Sequence, residues 1–142
     1  MKVRIRLIDG GKLPVFKHDG DACADCHARI AGGSIAVPVG TRILVNLGFA
    51  LELPDGYEAV IRPRSGLTAC GVDDGIGTID SGYRGEVKAC VINNSGSPFV
   101  IDDGDRICQL AIREAPKIEF EVAETLSGSE RSEAGFGSTG VK

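Results

Sequence analysis

Short runs in which polar and apolar residues alternate are the feature that most constrains this chain. The segments 3–7 and 117–122 both alternate apolar with charged side chains. A period of two places successive side chains on opposite faces of a β-strand. No segment of ten or more residues shows the 3.6-residue period of an amphipathic helix. The sequence therefore predicts a fold built almost entirely from β-strands.

Glycines and turn residues separate these runs. Glycine accounts for 20 of the 142 residues, about twice its average usage, and this disfavours long helices. Two apolar stretches within 35–53 surround Gly40 and Gly48, and Pro54-Asp55-Gly56 is typical of a hairpin turn. Further strands are predicted over 57–62, 86–93, 99–101 and 106–113. Many short strands with regular turn signals indicate an all-β sandwich or barrel, which we assign to residues 1–126.

Composition excludes several classes of protein. A chain of 142 residues with 42% hydrophobic residues forms one globular domain and is not disordered throughout. The net charge is −4, and without a basic block the chain has no electrostatic support for binding a nucleic acid polymer. The apolar runs are too short for a membrane span, and the N-terminus lacks a signal-peptide core. We expect a cytoplasmic protein without a membrane partner.

The last sixteen residues differ from the rest of the chain. Residues 127–142 contain four serines, four glycines and one large apolar side chain, Phe136. Such a segment cannot bury itself and is either a frayed terminus or a flexible arm that closes over a ligand. In the second case its backbone N–H groups could bind phosphate.

Two segments carry groups suited to phosphate chemistry. Arg64-Ser65-Gly66 directly follows a predicted strand and offers a guanidinium, a hydroxyl and an accessible backbone; a solvated turn is the alternative. In the segment 77–86, which is predicted to be a hairpin, Asp80 lies near the bend. A carboxylate there could activate a water, or could serve only the turn.

A third candidate lies on the strand that begins near residue 106. Alternation places Cys108 and Leu110 on one face, with Ile107 and Gln109 on the other. An amide such as Gln109 on a mostly apolar strand is either an edge residue or a ligand contact.

The five cysteines do not suggest a disulfide framework, because their number is odd. Cys90 and Cys108 lie in apolar segments and are predicted to be buried small hydrophobes. Cys23, Cys26 and His27 match the C-x-x-C-H pattern of haem attachment. Haem is disfavoured because the chain has no export signal, and zinc because the other cysteines are isolated along the chain. Cys23 and Cys26 are therefore predicted to be packing residues.

Five segments, in this order and spacing, resemble the homotrimeric dUTPases. The segments are 21–28, 63–67, 77–86, 104–110 and 131–140. The last ends in the run G-F-G-S-T-G, and a collinear match of all five is highly specific. Cys23 and Cys26 depart from the family, which usually has Gly and Leu there. Asp74 stands where bacterial relatives often carry Asn, and Ser132 and Ala134 stand where Gly is common.

The resemblance implies a fold, an assembly and a reaction. The fold is a jelly-roll-type β-barrel, the assembly is a homotrimer with shared sites, and residues 127–142 are the arm that closes over each site. The reaction is hydrolysis of dUTP to dUMP and pyrophosphate, which supplies dUMP for thymidylate synthesis and limits uracil in DNA. Asp80 would activate the water that attacks the α-phosphorus in line. Mg²⁺ would be held by the phosphates, and Asp25 would reach it through water.

The resemblance also implies two groups of substrate-binding residues. Those for the phosphates are Arg64, Ser65, Gly66, Gln109, Arg131, Gly137, Ser138 and Thr139. Those for the deoxyuridine are Asp74, Thr78, Ile79, Asp80, Tyr83, Lys88 and Phe136.

Two other functions share this resemblance in part. The dCTP deaminases have the same fold, but they require a deaminating Glu near the base and lack the fifth segment. A non-catalytic binding module is the second alternative, and the retention of Asp80 and Arg131 argues against it.

Overall fold

The computed structural model describes residues 1–129 and Ser132, and within them it contains eleven strands and one helical turn. The strands are β1 (Arg4–Leu7), β2 (Ala24–His27), β3 (Ser34–Val37), β4 (Arg42–Asn46), β5 (Phe49–Glu52), β6 (Tyr57–Pro63), β7 (Val72–Gly75), β8 (Gly77–Ile79), β9 (Lys88–Asn93), β10 (Phe99–Asp102) and β11 (Arg106–Glu114). The helical turn is α1 (Ser65–Thr68). The all-β prediction is confirmed.

The strands form four small antiparallel sheets whose neighbours are distant in sequence. The largest has the order β2-β11-β6-β8, the second has the order β4-β9-β7, and β1-β5 and β3-β10 form two pairs. The buried face of each sheet points into one apolar interior. Its largest fully buried side chains are Phe49, Leu47, Ile61, Ile101 and Ile107. The long crossings between sheets bring the segments around residues 25, 64 and 109 to one face of the largest sheet.

Two predicted hairpins are wrong, although their turns exist. Gly56 has a φ of +79°, as a tight turn permits for glycine, but β5 pairs with β1 whereas β6 pairs with β11 and β8. In the same way β8 pairs with β6, and the next strand, β9, pairs with β4 and β7. Turn residues determine where the chain reverses, but they do not determine which strands pair afterwards.

The predicted strand over 117–122 is also wrong for a single chain. The last strand ends at Glu114, and no ladder includes the residues that follow in the described part of the chain. The side chains of Ile118, Phe120 and Val122 are 68%, 89% and 99% exposed. Their alternation is therefore the pattern of a strand that has no partner among the described residues of the chain.

No helix in the described residues has the length and hydropathy needed to cross a membrane. The predicted boundary between a barrel over 1–126 and an arm over 127–142 stays a prediction.

Candidate active site

A groove of about 330 Å³ lies over β2 and β11, and polar and charged side chains from three parts of the chain line it. Asp25 comes from β2, Gln109 from β11 and Arg64 from the residue after β6. Asp25 pairs with Gln109, and Gln109 pairs with Arg62 on β6. The sheet register therefore places Asp25, Gln109 and Arg62 in one row, and Arg64 lies two residues beyond Arg62. The structure thus brings together three residues that are far apart in sequence.

Asp25 is the centre of a hydrogen-bonded network. Its Oδ1 accepts a hydrogen bond from Gln109 Nε2 at 3.2 Å and lies 3.3 Å from Arg64 Nε. Its Oδ2 accepts a hydrogen bond from Arg106 Nη1 at 2.9 Å. Burial would raise the pKa of Asp25, but the hydrogen bond from Gln109 and the charges of Arg64 and Arg106 outweigh burial and hold that pKa below its ordinary value. Asp25 is therefore an ionised carboxylate fixed at both oxygens.

Arg106 is the functional residue that sequence reasoning missed. Strict alternation puts residue 106 on the face of Cys108, and Ile107 on the face of Gln109. The β2–β11 register shifts between Arg106 and Cys108, so Ile107 is an extra residue in a β-bulge. Ile107 is buried beside Cys108, and Arg106 points into the groove. The prediction that Ile107 and Gln109 share a face is wrong for this reason.

Arg64 lines the groove where β6 passes into α1, and Ser65 and Gly66 follow it as the first residues of α1. Arg64 Nη1 donates a hydrogen bond to the carbonyl oxygen of Arg106 at 2.7 Å. Ser65 and Gly66 are exposed. A Cβ built on Gly66 would meet no protein atom within 4 Å, so the fold itself leaves room for a side chain at this position.

A second cavity, of about 260 Å³, lies where β8 ends and β9 begins. The predicted residues Thr78, Ile79, Asp80, Tyr83 and Lys88 all line it. The amide nitrogen of Tyr83 donates to the carbonyl oxygen of Asp80 at 3.0 Å, and this contact closes the turn that carries Asp80. Tyr83 is a pocket wall and not a core residue, because 46% of it is exposed.

Glu86 anchors the loop that forms this cavity. Its carboxylate accepts hydrogen bonds from Arg29 Nε at 2.9 Å and Arg29 Nη2 at 2.8 Å. It also accepts one from the amide nitrogen of Gly48 at 3.0 Å. The hydrogen bonds from Arg29 lower the pKa of Glu86 despite its partial burial. The cavity is therefore built on a paired and ionised carboxylate.

Comparison with known proteins decides the family. The dUTPase family matches residues 12–140. The deoxyuridine 5′-triphosphate nucleotidohydrolase of Fusobacterium nucleatum is 40% identical over 147 residues, which cover 98% of each chain. The chain belongs to the dUTPase family.

Solved dUTPase structures share its architecture. The Staphylococcus bacteriophage 80alpha dUTPase with dUPNHPP superposes with a TM-score of 0.91 at 24% identity, over 99% of both chains. A dUTPase from phage phi11 of S. aureus, described with a structural Mg(II) ion, has a TM-score of 0.80 at 20% identity and covers 88% of this chain and 98% of its own. The jelly-roll-type, dUTPase-like barrel is therefore confirmed.

The predicted dUTPase site residues fall into two separate clusters. The groove holds Asp25, Arg64 and Gln109, whereas the cavity holds Thr78, Ile79, Asp80, Tyr83 and Lys88 of the deoxyuridine group. No residue lines both. Asp80 directly follows β8, which is separated from the strand of Asp25 by three strand spacings in the order β2-β11-β6-β8. Along the strand direction, the register offsets Asp80 from Asp25 by four residues. At about 4.8 Å per strand and about 3.3 Å per residue, the two carboxylates are roughly 20 Å apart within one chain.

Asp74 does not line either cluster. It lies on β7 directly opposite the buried Val91 of β9, so its side chain is on the core face of this sheet, and it is 5% exposed. Its contact with the base stays a prediction. The dUTPase residues Arg131, Phe136, Gly137, Ser138 and Thr139 lie outside the described residues.

The cysteines are all free thiols. Cys26 and Cys108 are fully buried opposite each other on β2 and β11, which confirms Cys108 as a packing residue. Cys90 is only half-buried, because it lies on the outer face of its sheet opposite Leu44, so its predicted burial is wrong. Cys23 lines the groove. Within the described residues, no cluster of three or more His, Cys, Asp or Glu side chains could hold a metal ion.

Proposed function

We propose that this chain is a dUTP diphosphatase that hydrolyses dUTP to dUMP and pyrophosphate in the cytoplasm, supplying dUMP for thymidylate synthesis and limiting uracil in DNA. The observation that carries the proposal is the pair of clusters: a cationic groove around a fixed carboxylate, and a cavity with Asp80 at its wall. Five free thiols suit a reducing compartment.

In this proposal Asp80 is the general base. It is exposed at the end of β8, where a carboxylate can hold a water and take its proton. The water attacks the α-phosphorus in line, the bond from that phosphorus to the bridging oxygen breaks, and pyrophosphate leaves. The guanidinium of Arg64, the hydroxyl of Ser65, the backbone of Gly66 and the amide of Gln109 bind phosphate oxygens.

The groove fits Mg²⁺ as an ion held mainly by the triphosphate. Both oxygens of Asp25 already accept hydrogen bonds from protein groups, which suits a contact through water better than direct ligation. When bound, Mg²⁺ offsets phosphate charge. Arg131, Ser138 and Thr139 complete the phosphate contacts from the arm over 127–142.

The edge of β8 suits recognition of uracil. This strand pairs with β6 on one side, and no described strand pairs with its other side. The backbone groups of Thr78 and Ile79 on that free edge can pair with the base as a neighbouring strand would, with Lys88 close by. A fixed pattern of donors and acceptors matches uracil and leaves buried groups unpaired against cytosine, which is costly. Tyr83 lies under the sugar, and Phe136 stacks on the base.

We also propose a homotrimer in which each active site is shared. The attacking water has to lie within about 3.5 Å of the phosphorus. A separation of roughly 20 Å between Asp25 and Asp80 in one chain is too large for one Mg²⁺–triphosphate to engage both through single waters. The groove of one subunit therefore meets the cavity of another, and the arm closes over them.

The orphan segment over 117–122 supplies a way to assemble the trimer. Its exposed Ile118, Phe120 and Val122 alternate with acidic residues, whereas β1 alternates Ile5 with the cations Arg4 and Arg6. Within the described strands β1 pairs only with β5, so its other edge is free. An added strand from a second copy would pair apolar with apolar and acid with base.

The function is tested by measuring pyrophosphate release from dUTP, dCTP, dTTP and UTP with Mg²⁺. We expect turnover of dUTP alone, and a loss of about 100-fold or more in kcat for Asp80→Asn, with binding of a non-hydrolysable dUTP analogue retained. Asp55→Asn, in an exposed turn, is the matched control. Equal turnover of dCTP, or near-normal kcat in Asp80→Asn, would overturn the assignment.

A further inference from the structure

Arg106 ties together two groups that the proposed chemistry needs in fixed positions. Its guanidinium donates to Oδ2 of Asp25 at 2.9 Å, and its carbonyl oxygen accepts from Nη1 of Arg64 at 2.7 Å. Asp25 is 7% exposed at its side chain, while Arg64 and Arg106 are 27% and 41% exposed. Arg106 therefore contacts a buried carboxylate from the solvent side of the groove.

The β-bulge is what places Arg106 there. Without the extra residue Ile107, the alternation of β11 would turn position 106 toward the core, beside Cys108. Bulges re-aim side chains and are frequent next to active sites. The pairing with β6 ends at Cys108 and Pro63, so the carbonyl oxygen of Arg106 lies beyond that ladder and is taken up by Arg64.

Arg106 also completes the set of contacts that orient Asp25. Gln109 and Arg64 both approach Oδ1, and of the side chains in the described part of the chain Arg106 alone donates to Oδ2. A carboxylate held at one oxygen can still rotate about its Cβ–Cγ bond, whereas contacts at both oxygens stop that rotation. Charge-assisted contacts of this kind are stronger than neutral hydrogen bonds.

We propose that Arg106 is a positioning residue of this site, which acts through Asp25 by fixing the orientation of its carboxylate. The proposal rests on the proposed function, because Asp25 has this role only if the groove binds the triphosphate. In this proposal, the bulge at Ile107 turns the side chain of Arg106 toward Asp25.

The test is a double-mutant cycle between Arg106→Gln and Asp25→Asn. A residue that acts through another loses its effect once that partner is gone, whereas independent contributions multiply. We measure kcat and KM for dUTP over a range of Mg²⁺ concentrations. Binding of the imido analogue of dUTP, with Mg²⁺ and with a chelator, is measured by calorimetry. Arg113→Gln, at an exposed position on the same strand, is the matched control.

We expect Arg106→Gln to lower kcat/KM about 10- to 100-fold, the usual range for a partner that orients a functional ligand. The double variant should match Asp25→Asn within about threefold, and Arg106→Lys should recover part of the loss because only one N–H contacts Asp25. The gain in analogue affinity that Mg²⁺ gives should shrink in Arg106→Gln. Multiplicative losses, a loss below twofold, or an equal loss in Arg113→Gln would overturn the proposal.

Two further measurements keep the positioning claim testable on its own. If Arg106→Gln does not fold, the cycle is run with Arg106→Lys and Asp25→Glu, which retain both charges, and the same non-additivity is expected. If the native protein does not hydrolyse dUTP, the proposed function fails. A ligand-free crystal structure of Arg106→Gln then decides the positioning: a rotated Asp25 carboxylate supports it, and an unchanged one refutes it.

Discussion

Asp74 makes the stability of this protein depend on pH in a direction opposite to that of a salt-bridged carboxylate. It is 5% exposed, and no described residue donates a hydrogen bond to its Oδ1. Burial, with a smaller contribution from the negative charge of Asp73, raises the pKa of Asp74 from 3.8 to about 7. The folded protein therefore holds a proton there that the unfolded chain releases near pH 4.

The pKa difference sets the size and sign of the effect. Below pH 3.8 the carboxyl is protonated in both states, and its burial costs least. Between pH 3.8 and 7 the unfolded state ionises first, so stability is lost as the pH rises and levels off above pH 7. A difference of about 3 pKa units, at about 1.4 kcal/mol each, corresponds to about 4 kcal/mol.

The test compares Asp74→Asn with the native protein by urea unfolding followed by circular dichroism. Asparagine cannot ionise, so the variant should gain stability relative to the native protein between pH 4 and 8, by up to about 4 kcal/mol. An unpaired amide adds a constant offset of about 1–3 kcal/mol, and only the slope with pH is diagnostic. Asp55→Asn, in an exposed turn, controls for loss of charge at fixed protein concentration. A difference that does not change with pH would refute the reasoning.

Three further predictions concern the site. Gly66→Ala should leave the melting temperature unchanged, because a Cβ there meets no protein atom, and should lower kcat/KM for dUTP about 10-fold or more if phosphate approaches the backbone; equal activity would contradict this. Glu86→Gln should lower the free energy of unfolding by about 2 kcal/mol, because it breaks the paired contact with Arg29, as urea unfolding would show. Asp80→Asn and a chain lacking 127–142 should each be nearly inactive, and activity should reappear when they are refolded together; no recovery in mixed trimers confirmed by mass would refute the shared site.

Local patterns predicted most of the strands but not their partners. The strands over 86–93, 99–101 and 106–113 agree with the structure within two residues at each end, because period-two alternation is a property of the strand itself. The turn at Gly56 was equally readable. Pairing is a property of the whole fold, and so both predicted hairpins became crossings between sheets.

The bulge shows why the site was only partly readable. One extra residue at Ile107 reverses the face of the side chains that precede it on the strand. Ile107 and its neighbours are residue types common in regular strands, so the sequence does not indicate a bulge there. Gln109 lies after the bulge and contacts Asp25 in the groove; its role in substrate binding stays a prediction. Arg106 lies before it and was missed. The structure identifies Arg106 by its contact, because Arg106 donates to the oxygen of Asp25 that Gln109 and Arg64 do not approach.

The orphan segment over 117–122 and the distance between the two clusters have one explanation. In a single chain, the apolar side chains of this segment stay exposed to water. The two halves of the site are also roughly 20 Å apart there, too far to act on one substrate. A second copy resolves both problems. Its β1 edge can pair with the segment, and its groove around Asp25 can face the cavity that holds Asp80. In the proposed trimer the same contacts that bury Ile118 and Phe120 also bring the groove of one subunit to the cavity of the next. Substitution of Phe120 by Asp should therefore weaken assembly and dUTP hydrolysis in parallel, although Phe120 touches neither cluster. Sedimentation and activity measured on the same sample would test this, and a monomer with full activity would exclude the shared site.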